Sequence, residues 1–427
     1  MDGKPQDIEQ RVMGIIMADT VETKKRLAKR IFDIAYKSGI FPASINEFYM
    51  ARGRGELSGF TVPAINLRSM TYDLACAIFR VAKRNDCRAF IFEIARSEIG
   101  YTAQPPIEYA AVVLAAAITE DYTGPVFIQG DHFQVNVNKF KANPDREITG
   151  LQALIAEAIG AGFYNIDIDS STLVDLSRPD VTSQQKDNCE VCAQLTEFIR
   201  RNQPRGVTIS VGGEIGEVGR QNSTPEELHA FMAGYNARLR NGVTGISKIS
   251  VQTGTSHGGV VLPDGSIAQV NLDFETLRTL SGIARREYGL AGAVQHGAST
   301  LPAEAFHKFP ECETAEVHLA TEFQNMIYES RHFPAELKAT MYDWLKATAA
   351  NEALAGETEE QFFYKTRKKA LGPFKKEIMS LPREVRDAIA AEIEIRFDLL
   401  FKQLLAVNNS DVMNKYVAFK RVNYDRL

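Results

Sequence analysis

Three of the seven histidines in this 427-residue chain stand at the ends of β-rich runs. GPVFIQGDH closes on Asp131 and His132, ISKISVQTGTSH closes on His257, and AGAVQHGAS carries His296 near its end. One histidine beside an apolar strand is ordinarily a core or rim residue with one satisfied nitrogen. Three at equivalent positions suggest more, because converging imidazoles suit Zn²⁺ and leave a fourth position open to water or substrate. Other runs also end in polar groups. FYNIDIDSS brings Asp167 and Asp169, VTISVGGEI brings Glu214, and TAEVHLAT brings His318 and Thr321. Glu214 is an alternative ligand or a carboxylate that orients one. Asp131, next to a ligand candidate, is placed to exchange a proton with a substrate hydroxyl.

These groups can meet only if their strands run parallel and end on one face. Eight β-rich runs, at 60–66, 87–94, 124–132, 163–171, 207–215, 246–257, 291–299 and 314–321, alternate with helical patterns such as TYDLACAIFRVAKR. Strand–helix alternation implies a parallel sheet. Eight units in roughly 270 residues predict a (β/α)₈ barrel with its chemistry at the C-terminal strand ends. A doubly wound open sheet is the competing fold, but no glycine-rich loop follows FTVPAIN. Residues 1–58 read as a mostly helical arm, 59–327 as the barrel, and 328–427 as a helical extension. Arm and extension are expected to pack on the barrel or on another subunit. Thr224, Pro225 and Glu227 predict a capped helix start.

Composition narrows the partners. A net charge of -5 shows no basic excess, which argues against nucleic acid. The longest apolar run, YAAVVLAAAIT, is too short for a membrane span and reads as a buried helix. The first ten residues are polar and lack the apolar core of a signal peptide. Five cysteines without framework spacing read as reduced thiols of a cytoplasmic protein, and Cys189 and Cys192 as core neighbours on a helix. Lys248, well before the end of its run, reads as structural. A small-molecule substrate is expected.

With these residues in view, the chain resembles the class II, metal-dependent ketose-bisphosphate aldolases, which cleave fructose- or tagatose-1,6-bisphosphate. The landmarks are QGDHF, I-D-S-S-T-L (168–173), G-E-I-G (213–216), T-G-T-S-H-G (253–258), N-L-D-F-E-T-L (271–277), Q-H-G-A-S (295–299) and V-H-L-A-T-E-F (317–323). The resemblance implies a lyase of carbohydrate metabolism, glycolysis included. It makes His132, His257 and His296 zinc ligands, Asp131 the catalytic acid/base, and Asp169 and Glu214 partners of the metal region. Gly258, Gly297 and Ser299 fall where the family binds phosphate, with Thr321 as a further hydroxyl. Asn66, Glu93 and Arg96 are further substrate-contact candidates. A monovalent cation near the phosphate, and a homodimer or homotetramer, are implied only by the resemblance.

The pattern departs from the family in four places. His318 holds the position where the family has an asparagine that touches the enediolate, so it is a catalytic candidate that could donate a similar hydrogen bond. Glu93 and Arg96 replace a Gln-x-Ser arrangement, as substrate contacts or as an internal salt bridge. In EVGRQNSTPEEL, Glu217 is the substitute for the family's second general base, and Arg220 could meet an anion. The helical termini are longer than the family minimum. Two other readings stay open: a non-catalytic assembly subunit, and an isomerase or epimerase using the same enediolate chemistry.

Overall fold

The computed structural model describes residues 5–216, 221–254, 262, 272–420 and 422. Its first strand, β1 (Ile40–Ala43), corrects the helical reading of the arm. IFPA is four residues long and contains a proline, so it lacks the alternation that marks a strand. The eight predicted runs each supply one further strand: β2 (Val62–Asn66), β3 (Ile91–Ala95), β4 (Gly124–Gln134), β5 (Asn165–Asp169), β6 (Ser210–Glu214), β7 (Lys248–Val251), β8 (Ala293–Gln295) and β9 (Glu316–Leu319). They pair in parallel in the order β4-β3-β2-β9-β8-β7-β6-β5, and pairing of β4 with β5 closes the ring. This is the expected (β/α)₈ barrel. β1 runs beside the lower half of β4, from Ile40 opposite Gly124 to Ala43 opposite Phe127, whereas β4 meets β5 only from Gln129 onward. The Asn165 amide bridges this seam, accepting from Ile45 N at 2.9 Å and donating to Ala43 O at 3.2 Å and Ile128 O at 3.1 Å.

Six helices precede β4: α1 (Pro5–Met17), α2 (Val21–Lys37), α3 (Asn46–Gly53), α4 (Thr71–Arg84), α5 (Arg96–Tyr101) and α6 (Pro106–Thr119). α6 carries the apolar run and is buried along nearly its whole length. α1 and α2 pack on α6, and the extension's long helix Arg383–Gln403 packs on α4. Arm and extension thus lie on the barrel of their own chain. Ion pairs reinforce the apolar contacts: Lys24 and Lys375 grip Glu108 of α6 at 2.7 and 2.6 Å, and Arg386 joins Asp73 of α4 to Glu9 of α1. The capped start at Thr224 forms as read. All five cysteines are buried thiols, with Cys189 and Cys192 on the inner face of helix Lys186–Asn202. Among the described residues no helix is long and apolar enough to cross a membrane.

Strand side chains alternate in and out of the ring, so each strand contributes every second residue to the interior. The lowest layer is apolar: Val62, Ala64, Ile91 and Phe127 pack with Phe48 and Tyr49 of α3, which closes the bottom. The layer above is polar, with Glu93, Gln129, Asp167, Lys248 and Glu316 all buried. Gly212 makes room for it, since a Cβ there would lie 2.3 Å from Asp167 Oδ1. The third layer is the C-terminal mouth.

Candidate metal centre at the barrel mouth

Asp131 and His132 are adjacent, so a regular strand would send them to opposite faces. A bulge between Gly130 and Phe133, where β4 shifts register against β5, breaks the alternation. His132 takes φ +39°, a left-handed conformation costing roughly 1–2 kcal/mol for a residue with a Cβ. Both side chains thereby reach the mouth. His296 joins them from the end of β8, with its ring centroid 4.1 Å from that of His132. Ligand-capable atoms of Asp131, His132 and His296 all lie within 4.8 Å of one another.

The surrounding carboxylates orient His132. Its Nδ1 lies 3.0 Å from Asp169 Oδ2 and 3.3 Å from Glu214 Oε2. Burial opposes a charge on this ring, but Asp131 and Glu214 hold its pKa well above the usual imidazole value, so without a metal it is protonated on both nitrogens. With a metal bound, the Nδ1 proton would serve these acceptors and Nε2 would give up its proton on the side of Asp131, the arrangement by which carboxylates commonly fix a metal-binding imidazole. Asp169 is itself held by Gln134 Nε2 at 2.6 Å and Ser171 Oγ at 2.7 Å. Burial would raise its pKa, but the hydrogen bond and charge of His132 and these further donors bring it to about 2. Glu214 is pushed up to about 7, by burial and then by the Asp169 charge. No lysine or arginine hydrogen-bonds to Asp131, His132, Asp169, Glu214 or His296 among the described residues. His132 and His296 with Asp131 beside them, and Asp169 and Glu214 behind His132, are a donor set whose chemistry fits a divalent metal.

His318 stands apart from that set. Its Nδ1 lies 3.1 Å from Asp131 Oδ1 and 3.3 Å from Glu93 Oε2, and its Nε2 lies 2.6 Å from Glu316 Oε1. The ring is 4.1 Å from His296, edge to face. Both nitrogens are engaged with carboxylates, so the side chain links the mouth to the polar layer. There Lys248 Nζ contacts Glu316 at 2.5 Å, Gln129 at 2.7 Å and Asp167 at 3.0 Å, and the Tyr49 hydroxyl donates to Glu316 from below. Burial opposes ionisation of Asp131, but the charges of His132 and His318 and the hydrogen bond from His318 hold it well below the usual carboxylate range, with His296 Nε2 3.5 Å away.

The other predicted residues divide. Glu93, Arg96, Gly297, Ser299 and Thr321 line the same cavity of about 760 Å³ as the metal-binding candidates. Ser299 Oγ accepts from Ala320 N at 2.9 Å, and Thr321 Oγ1 accepts from Arg68 Nη1 at 3.2 Å. Glu93 and Arg96 do not pair with each other. Glu93 turns inward, accepting from Gln129 Nε2 at 3.0 Å, while Arg96 binds Glu147 at 2.5 Å and Gln134 O at 2.6 Å. The reason is strand alternation: Glu93 lies within β3 and Arg96 begins α5. Asn66 is buried and donates to Glu98, outside the cavity lining. His257, Gly258, Glu217 and Arg220 lie outside the described residues. Residues that the sequence reading passed over are Gln129, Glu316 and Tyr49, together with Arg68, Glu98 and Lys368 on the cavity wall. A signal for two of them was available: Gln129 precedes Asp131, and Glu316 precedes His318, by the two positions that put both on one face. Lys248, read as lying well before its strand's end, is the first residue of the short β7 and points into the barrel beneath His318.

Comparison with solved structures places the architecture among known barrels. A probable tagatose 6 phosphate kinase from Sinorhizobium meliloti is 16% identical, with a TM-score of 0.56 over 83% of this chain and 99% of that one. The fructose-bisphosphate aldolase of Campylobacter jejuni is 16% identical, with a TM-score of 0.50 over 87% and 97%. A fructuronate-tagaturonate epimerase from Cohnella laeviribosi is 12% identical, with a TM-score of 0.53 over 93% and 86%. At these identities the likeness is one of fold. No curated protein matches the chain. The family model described as fructose-bisphosphate aldolase class-II matches residues 54–391, most of the sequence, and the chain belongs to that family.

Proposed function

We propose that the protein is a metal-dependent aldolase that cleaves, or in reverse condenses, a phosphorylated ketose of the fructose- or tagatose-1,6-bisphosphate type. The products are dihydroxyacetone phosphate and an aldehyde. The observation that carries this reading is Asp131 beside His132 and His296 at one barrel mouth, in a chain of the class II aldolase family. His132 and His296, with His257 from the sequence motif, would hold the divalent ion, for which Zn²⁺ suits the nitrogen-rich set. When bound, such an ion supplies Lewis acidity at the ketose oxygens.

This chain's residues do the rest. Asp131, held ionised, takes the proton of the C4 hydroxyl. The C3–C4 bond breaks, its electron pair moves into the C2–C3 enediolate, and C4 leaves as the aldehyde. A proton then returns to C3, a role assigned to Glu217. His318, hydrogen-bonded to Asp131, faces the developing charge where relatives have asparagine. Gly297, Ser299 and Thr321 receive a phosphate. One observation favours a second reading. His318 places another proton-exchanging group 3.1 Å from Asp131. An epimerase would use such a pair to rejoin or reprotonate the carbon on its opposite face, and the Cohnella laeviribosi barrel carries an epimerase's name.

The test is a metal-stripped and Zn²⁺-reloaded preparation incubated with ketose 1-phosphates and 1,6-bisphosphates. Metal-dependent release of dihydroxyacetone phosphate supports the lyase. An epimeric ketose without triose supports the second reading, and neither product defeats both.

A further inference from the structure

At the end of the barrel opposite the candidate metal centre lies a groove of about 570 Å³ walled by Arg54, Arg278, Arg285 and Arg286 against Glu311 and Glu313. Four guanidiniums meet here in a chain whose net charge is -5. Arg278, Gly282 and Arg286 fall four residues apart along helix Phe274–Tyr288, so they share one face. The glycine between the two arginines lets the Arg286 guanidinium lie against the helix, since a Cβ there would lie 2.8 Å from Arg286 Nη1.

The opposite wall is held against this helix. A Cβ on Gly53 would lie 1.9 Å from Gly289 O, so the end of α3 meets the helix's closing turn backbone to backbone. Arg285 Nη2 donates to Arg52 O at 3.3 Å and Leu57 O at 3.1 Å, tying the loop that carries Arg54 to the helix. Three of the four guanidiniums have carboxylate partners: Arg285 binds Glu313, Arg54 binds Glu56 at 2.6 Å, and Arg278 lies 3.8 Å from Glu275. Arg278 also donates to Glu311 O at 2.9 Å, and its pair with Glu275 is long and exposed on both sides, so solvent and salt screen it. Arg286 has no hydrogen bond or ion pair among the described residues.

We propose that this groove is an anion site for a diphosphate group, free or as part of a nucleotide, separate from the site at the barrel mouth. Guanidiniums approaching from two walls match the several oxygens of a diphosphate, which accept their paired N–H donors. The assignment does not depend on the reaction proposed above.

Calorimetric titration of the full chain with inorganic pyrophosphate and with ADP tests it. Wild type should bind saturably, and R278A and R286A should each weaken at least one equivalent of that binding about tenfold or more. R205A, which removes an exposed arginine elsewhere, should leave binding unchanged. Tighter binding of ADP identifies a nucleotide site, and equal affinity identifies the diphosphate as the whole determinant. Absence of saturable binding overturns the proposal. So does binding that survives R278A and R286A, which would place the anion at the barrel mouth, or binding that R205A weakens equally, which would mean unspecific charge attraction. All three arginines are exposed, and melting curves verify that the variants fold.

Discussion

Lys248→Met isolates the polar layer beneath the site. The Lys248 side chain is 1% exposed, and its Nζ is shared by Glu316, Gln129 and Asp167 at 2.5–3.0 Å. Burial opposes its charge, but Asp167 and Glu316 outweigh burial and raise its pKa. Methionine keeps the bulk and removes the ammonium, leaving two carboxylates buried without their main cation. Removing one partner of a buried pair costs about 3–5 kcal/mol. At about 2 °C per kcal/mol for a large chain, the melting temperature should fall by about 6–10 °C. Adding Asp167→Asn removes one stranded charge and should recover about 1–3 kcal/mol, a coupling that denaturant titration of the four proteins measures. The same geometry forbids a second role. Imine formation needs a neutral amine open to substrate, and Lys248 is charged, enclosed and absent from the cavity wall. Borohydride treatment with a ketose phosphate should therefore leave Lys248 unmodified by mass spectrometry. A trapped adduct at Lys248, or a K248M protein as stable as wild type, would refute the reasoning.

Asp131→Asn should lower turnover about 10²–10⁴-fold while metal content stays near wild type, because it removes the proton acceptor and leaves the imidazoles; steady-state kinetics with metal analysis checks both. Gly130→Ala puts a Cβ 2.5 Å from the Phe133 ring and must distort the bulge that presents His132. It should cost about 1–3 kcal/mol and lower bound metal, measured by denaturation and elemental analysis. Asp73 is pushed up to about 6 by burial, against the attraction of Arg386. Its stabilising protonated form is fully present below the unfolded value near 3.8, and its contribution is lost as pH rises through about 6. Relative to Asp73→Asn, wild type should therefore lose at most about 3 kcal/mol between pH 4 and 7, read from denaturant curves at each pH.

Much of the architecture was legible because a (β/α)₈ ring writes itself locally. Each strand is a short apolar run, each crossover an amphipathic helix, and each chemical group falls where a run ends. Asp131, His132, His296 and His318 could be placed at one mouth without coordinates, because parallel strands in a closed ring share a C-terminal face. β1 escaped because its partner lies some 80 residues away and its four residues carry no periodic signal.

Sequence by itself settled which residues stand at the strand ends, since side-chain alternation and turn chemistry are properties of neighbours along the chain. Only the tertiary structure decided what each of them faces. It turned Asp131 and His132 to the same side through a bulge, and gave His318 a carboxylate on either edge. It also separated Glu93 from Arg96 and set Lys248 beneath the site instead of in it. Those outcomes depend on register between strands and on which groups share a closed interior, and charge pairing across a barrel leaves no trace in the spacing of residues along any one strand.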